Sequence, residues 1–152
     1  MDLSTLMEML EYAALSYNNK QPVYPDKAIL MQSTPEGVQY GLRYFENTLK
    51  IVFRGTDSIQ DLFMDLRYWK KKIPYGNRGS KIRVHSGVID AYKSKGVRDA
   101  IHSCITPQIN KLQISGHSYG AALAVLCAVD VQYCFSNRTK LFAGFEYFVR
   151  LY

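Results

Sequence analysis

Apolar residues open the chain at three- and four-residue spacing, through Leu3, Leu6, Met7, Leu10, Ala13, Ala14 and Tyr17, with Asp2 placed to cap the first turn. That spacing predicts a helix with one apolar face. Asn18, Asn19, Pro22 and Pro25 then predict a turn-rich passage. The period shortens afterwards: 37–45 and 49–53 are β-rich runs flanking Glu46-Asn47-Thr48, the pattern of a hairpin. Residues 56–69 return to helical spacing, with Ile59, Leu62, Phe63, Leu66 and Trp69 on one side and Asp57, Asp61, Asp65 and Arg67 on the other. Residues 70–80, carrying Pro74, Gly76 and Gly79, are predicted to be a loop. Beyond them the pattern predicts a strand at 81–85, a helix at 87–103, a strand at 112–115, a helix at 119–133 and a last strand at 140–145 leading into 146–152. Alternating strands and helices predict an α/β fold with a parallel sheet. No repeat or linker divides the chain, so one domain over 1–152 is expected.

Composition narrows the class. With 47% hydrophobic and 21% charged residues in 152, the disordered, collagenous and disulfide-scaffold classes are excluded. No apolar run approaches the ~18 to 20 residues of a membrane span, and the first residues lack a signal-peptide pattern, so a cytoplasmic location is the default expectation. Cys104, Cys127 and Cys134 are odd in number, sit in apolar surroundings and lack CxxC or Cys/His ligand spacing. They are expected to be reduced core residues, with no metal site.

Charge changes the picture by its location. The net +6 arises from 19 Lys+Arg against 13 Asp+Glu, and Arg67, Lys70, Lys71, Lys72, Arg78, Lys81 and Arg83 fall within 67–83 with no acidic residue among them. The whole basic excess therefore belongs to one segment. Together with Tyr68, Trp69 and Tyr75 it would favour an anionic lipid surface, where each Lys or Arg is worth about 1 kcal/mol and aromatic rings suit the headgroup boundary. A solvated basic loop is the plain alternative. Nucleic acid is not expected as a partner, because no nucleic-acid module accompanies the charge.

Gly116-His117-Ser118-Tyr119-Gly120 matches G-x-S-x-G, and its flanks make it informative: the apolar run Leu112-Gln113-Ile114-Ser115 leads in and Ala121-Ala122-Leu123-Ala124 leads out. A nucleophile elbow needs this strand, sharp turn and helix. The serine takes a strained turn conformation, and Gly116 and Gly120 remove side chains that would collide where strand and helix cross. A serine at a helix N-terminus also has backbone N–H groups and the positive end of the helix dipole aimed at a developing oxyanion. Ser118 is the candidate nucleophile.

These residues also resemble a family. Phe53-Arg54-Gly55-Thr56-Asp57-Ser58 followed by Asp61 and Asp65, then Val84-His85-Ser86-Gly87, then the elbow and its alanine-rich exit, are similar to the ordered landmarks of the class 3 (fungal-type) lipases of the α/β-hydrolase fold. The segment 12–17 resembles that family's opening helix. The resemblance implies a mostly parallel sheet flanked by helices and a serine hydrolase of carboxylic esters in lipids, working through an acyl-enzyme without metal or cofactor. It implies Thr56 as one oxyanion donor, through its N–H and its hydroxyl, and the N–H of Tyr119 as the other. It further implies that 57–69, with Asp57, Ser58, Ile59, Leu62, Phe63, Leu66 and Trp69, is a flap over the site; a permanently packed helix is the bland alternative. Tyr119 and Ala121 stand where the family usually has leucine and glycine. Triacylglycerol, phospholipid and short esters are all left open as substrates.

A serine hydroxyl needs a histidine to take its proton and a carboxylate to orient that histidine, and in this fold they follow in the order serine, acid, histidine. After Ser118 come Asp130 and Glu146 and no histidine. Asp130 lies twelve residues along the predicted helix, about 18 Å at 1.5 Å per residue, too far to be the triad acid. His85 is expected to be a hydrogen-bonded packing residue, His102 a surface residue, and the side chain of His117 to diverge from its neighbour's. The chain is therefore expected to be the front portion of a lipase-like domain, incomplete at its C-terminus. The alternative is a catalytically inactive homologue that binds lipid surfaces.

Overall fold

The computed structural model describes residues 3–15, 31–34, 38–55, 70–72, 83–93, 96–137 and 145–150. Helix α1, Leu3–Leu15, is followed by strands β1, Met31–Ser33, β2, Gln39–Phe45, and β3, Thr48–Phe53. Strands β4, Lys70–Lys72, and β5, Arg83–His85, precede helices α2, Ser86–Lys93, and α3, Val97–Cys104. Strand β6, Lys111–His117, helix α4, Tyr119–Cys134, and strand β7, Phe145–Arg150, complete the order. No helix among the described residues is long and apolar enough to cross a membrane.

The main sheet runs β1-β2-β3-β6-β7 and is mixed: β1, β2 and β3 pair antiparallel, and β6 pairs parallel with both β3 and β7. The hairpin turns on Glu46 and Asn47, with Glu46 at φ 51°, one residue tighter than the connection predicted. The Asn47 carbonyl accepts the N–H of Asn110 at 3.0 Å and of Lys111 at 3.3 Å, which sets the start of β6 beside β3.

Alternation along β3 and β6 gives the sheet two different faces. Leu49, Ile51, Phe53, Leu112 and Ile114 join Leu123, Leu126, Cys127 and Val131 of α4 and Val88, Tyr92, Val97 and Ile101 of α2 and α3 in one buried core. Lys50, Gln113 and Ser115 are also buried, and the ammonium of Lys50 pairs with Glu8 of α1, so α1 lies across this more polar face. With helices on both faces the central strands are nearly continuous in burial, as parallel strands require.

Several elements depart from the sequence pattern. Among the residues of α1 whose burial is described, Met9 is buried and Leu6 and Leu10 are half-buried, while Leu3 and Met7 of the expected apolar face are exposed; Glu8 of the same helix pairs with Lys50 of β3. The helix expected over 87–103 is two helices. Gly96, at φ 112°, stands between them and caps α3, a conformation that glycine adopts without steric cost. Lys70–Lys72, expected to open a loop, is a strand pairing antiparallel with β5, Lys72 opposite Arg83. A strand is described at Phe145–Arg150, in the stretch into which the expected strand at 140–145 leads, with Tyr147, Phe148 and Val149 supplying β propensity; 140–144 lie outside the described residues. The proposed flap at 57–69 and Thr56 lie outside the described residues, as do Arg67, Arg78 and Lys81.

Candidate active site

Strand β6 ends at His117, the chain turns at Ser118, and α4 begins at Tyr119. Ser118 has φ 56° and ψ −124°, and apart from Glu46 it is the only non-glycine residue with positive φ among the described residues. The turn is possible because of what flanks it. A Cβ on Gly116 would stand 2.3 Å from the carbonyl oxygen of Gly120, and a Cβ on Gly120 would stand 2.4 Å from the Phe53 carbonyl oxygen and 2.8 Å from backbone atoms of Arg54. Both are backbone collisions that no rotamer relieves. Glycine at these positions lets β6, α4 and the end of β3 meet, so the backbone of Phe53 and Arg54 is brought beside the turn that carries Ser118.

Ser118 is 4% exposed, and its Oγ has no hydrogen-bond partner among the described residues. A buried hydroxyl without a partner costs about 1–3 kcal/mol. Strain and lost hydration thus coincide at one residue, which is how functional positions differ from ordinary core. Tyr119, half-buried in the first turn of α4, has its phenol pKa raised by burial.

None of the three histidines reaches Ser118. His85 accepts the N–H of Gly87 through Nδ1 at 3.0 Å, the packing role expected of it, and its Nε2 is buried without a partner among the described residues. His117 is half-buried at the end of β6, opposite Arg150 in register. His102 is not a surface residue as expected: its Nε2 lies 2.6 Å from Oδ2 of Asp130.

Asp130 gathers a second group of residues, which sequence reading missed. It is completely buried; Tyr92 donates to Oδ2 at 2.9 Å, Arg98 donates through Nε and Nη2 at 3.1–3.2 Å, and the thiol of Cys134 lies 3.3 Å from Oδ1. Burial pushes its pKa up, and the hydrogen bonds from His102, Arg98 and Tyr92 outweigh that and hold it below the ordinary value. Burial, with Cys127 and Asp130 nearby, drives the Tyr92 phenol far upward, so it stays protonated and donates. The available signal was a lone acid in the apolar run Cys127-Ala128-Val129-Asp130-Val131, since a buried charge must find partners. Asp130 belongs to this cluster and not to the elbow, in agreement with its distance along the helix. Of the cysteines only Cys127 is a core residue, its thiol pushed up to about 12 by burial; Cys134 is exposed and Cys104 half-buried, and none is in a disulfide. His102, Asp130 and Cys134 place their ligand atoms within 4.8 Å of one another.

Comparison with known proteins adds to this geometry. The model of the family described as Lipase (class 3) matches residues 50–145, more than half of the chain. A lipase from Rhizomucor miehei is 34% identical over 91 residues, which are 57% of this chain and 24% of that protein. The solved structure of the triacylglyceride lipase of Rhizomucor miehei matches with a TM-score of 0.70 at 22% identity, covering 97% of this chain and 62% of that one. A triacylglycerol lipase from Penicillium expansum matches with a TM-score of 0.68 at 15% identity, covering 87% of this chain and 55% of that one. These likenesses are of fold, the α/β-hydrolase architecture, and the chain spans less than two thirds of the length of each of these relatives.

Proposed function

We propose that this chain, which belongs to the class 3 lipase family, supplies the nucleophile of a serine hydrolase that cleaves carboxylic ester bonds in lipids. One observation carries the reading: Ser118 is held at φ 56° in a strand-to-helix turn between two glycines whose Cβ positions are already filled by backbone. That is the geometry a nucleophile elbow requires. Triacylglycerol, named for two of the related structures, is the proposed substrate class.

In the proposed reaction the Ser118 oxygen bonds to the acyl carbon while its proton passes to a base. The ester C–O bond then breaks, the alcohol leaves with a proton, and water hydrolyses the acyl-enzyme. The N–H of Tyr119, at the positive end of α4, and the N–H of Thr56, which follows buried Gly55, would hold the oxyanion. Segment 57–69 would cover the site as a flap. Lys70, Lys71 and Lys72, together with Arg67, would draw it to an anionic lipid surface; Lys72 and Arg83 are exposed across the β4–β5 pair.

A second reading is favoured by the absence of a base at Ser118 Oγ among the described residues: a lipid-surface binding module that keeps the elbow without turnover. A fluorophosphonate probe separates the two. Stable labelling of Ser118, lost in Ser118→Ala, requires an activated serine. A folded chain that stays unlabelled supports the binding module and overturns the hydrolase.

A further inference from the structure

We propose that His102, Asp130 and Cys134 form a binding site for a borderline-soft divalent cation of the zinc class, which would take the place held by the guanidinium of Arg98. This site is separate from the elbow and does not rest on the hydrolase reading. Its ligand set is an imidazole, a carboxylate and a thiol, all within 4.8 Å. These three donor types are those of structural and catalytic zinc, whereas magnesium and calcium select oxygen alone. Asp130 and Cys134 are one turn apart on α4, and His102 reaches them from α3, so a bound ion would tie the two helices together.

The cluster already behaves as a cation site. Arg98 donates to both Asp130 oxygens and lies 3.3 Å from the Cys134 sulfur, so a positive charge rests between carboxylate and thiol. The Arg98 side chain is 30% exposed, so water is within its reach, while the Asp130 carboxylate is completely buried and stays in place. Exposed Cys134 marks the entry path. Two outer contacts pack against the ligands, one of them a hydrogen bond of the kind that orients a ligating carboxylate. Tyr92 donates to Asp130 Oδ2 at 2.9 Å, and the ring of Phe135 stands edge-on to His102 at 5.2 Å. On binding, the thiol proton is released to solvent, Arg98 swings outward with its charge, and water fills the fourth position.

Cobalt(II) is the probe, added to the full untagged chain, with zinc as competitor. One cobalt per chain is expected, with visible d–d bands and a thiolate-to-cobalt charge-transfer band that zinc abolishes. Cys134→Ser should remove the charge-transfer band, and both it and His102→Gln should weaken binding at least about tenfold; Tyr92→Phe, which removes an outer contact, should weaken it by about tenfold. Arg98→Gln removes the resident cation and should tighten binding. The proposal is overturned if the folded wild-type chain takes up no cobalt, if the bound cobalt shows no thiolate band, or if Cys134→Ser and His102→Gln bind as wild type does. Far-UV circular dichroism on each variant reports folding.

Discussion

Ser118 combines a backbone conformation that costs an L-residue about 1–3 kcal/mol with a buried hydroxyl that no described residue bonds. A position chosen for stability would carry neither. Ser118→Gly should therefore raise stability by about 1 kcal/mol, the relief of strain exceeding glycine's entropic cost. A urea denaturation midpoint at or below that of wild type would show that the turn is unstrained. The flanking glycines behave in the opposite sense. Gly120→Ala would place a carbon 2.4 Å from the Phe53 carbonyl oxygen, an overlap of fixed backbone, and should destabilise by about 2 kcal/mol or more. A neutral effect would mean that α4 can slide along β3.

Among the elements, those built from local signals were legible in the sequence. The hairpin, the strand leading into Ser118 and the helix leaving it follow from period and turn chemistry within about ten residues. What escaped is what tertiary contacts decide. Gly96 sits in a stretch of helical spacing and only its φ of 112° reveals the break between α2 and α3. Helix α1 meets the sheet through the Glu8–Lys50 pair, a contact 42 residues apart in the chain that no local pattern encodes. Partners for Asp130 come from α2 and α3, so the acid was visible and its role was not. This cluster holds α4, and with it the elbow, against its neighbours. Asp130→Asn should cost about 3 kcal/mol, as breaking a buried pair does. Because the folded carboxyl has its pKa lowered, its contribution is complete above the unfolded value and is lost as pH falls through that value toward the folded one. Chemical denaturation of wild type and variant should differ by a constant amount from pH 7 to about 5 and converge below about pH 4. A difference that persists in acid would assign the effect to packing instead of charge.

At the scale of the molecule, a mixed sheet covered on both faces places the turn of Ser118 at the C-terminal end of its central parallel strands, where open α/β sheets bind ligands. Family and fold were readable from three ordered landmarks, since each encodes a backbone approach that few residues satisfy. The course of the basic segment was not, because charge alone specifies no pairing, and Lys70–Lys72 became a strand against β5. If that segment docks on lipid, binding to anionic vesicles should fall steeply as salt rises and vanish on neutral vesicles; binding indifferent to both would remove the docking surface. A nucleophilic Ser118 passes through an acyl-enzyme, which can be trapped. The intact chain is incubated with a p-nitrophenyl ester, quenched in acid, and mapped by peptide mass spectrometry. One acyl group is expected on the peptide bearing Ser118, with p-nitrophenol released in at least equal amount, and neither in Ser118→Ala. A folded chain that gains no acyl group, or gains it on another residue, would contradict a nucleophilic Ser118.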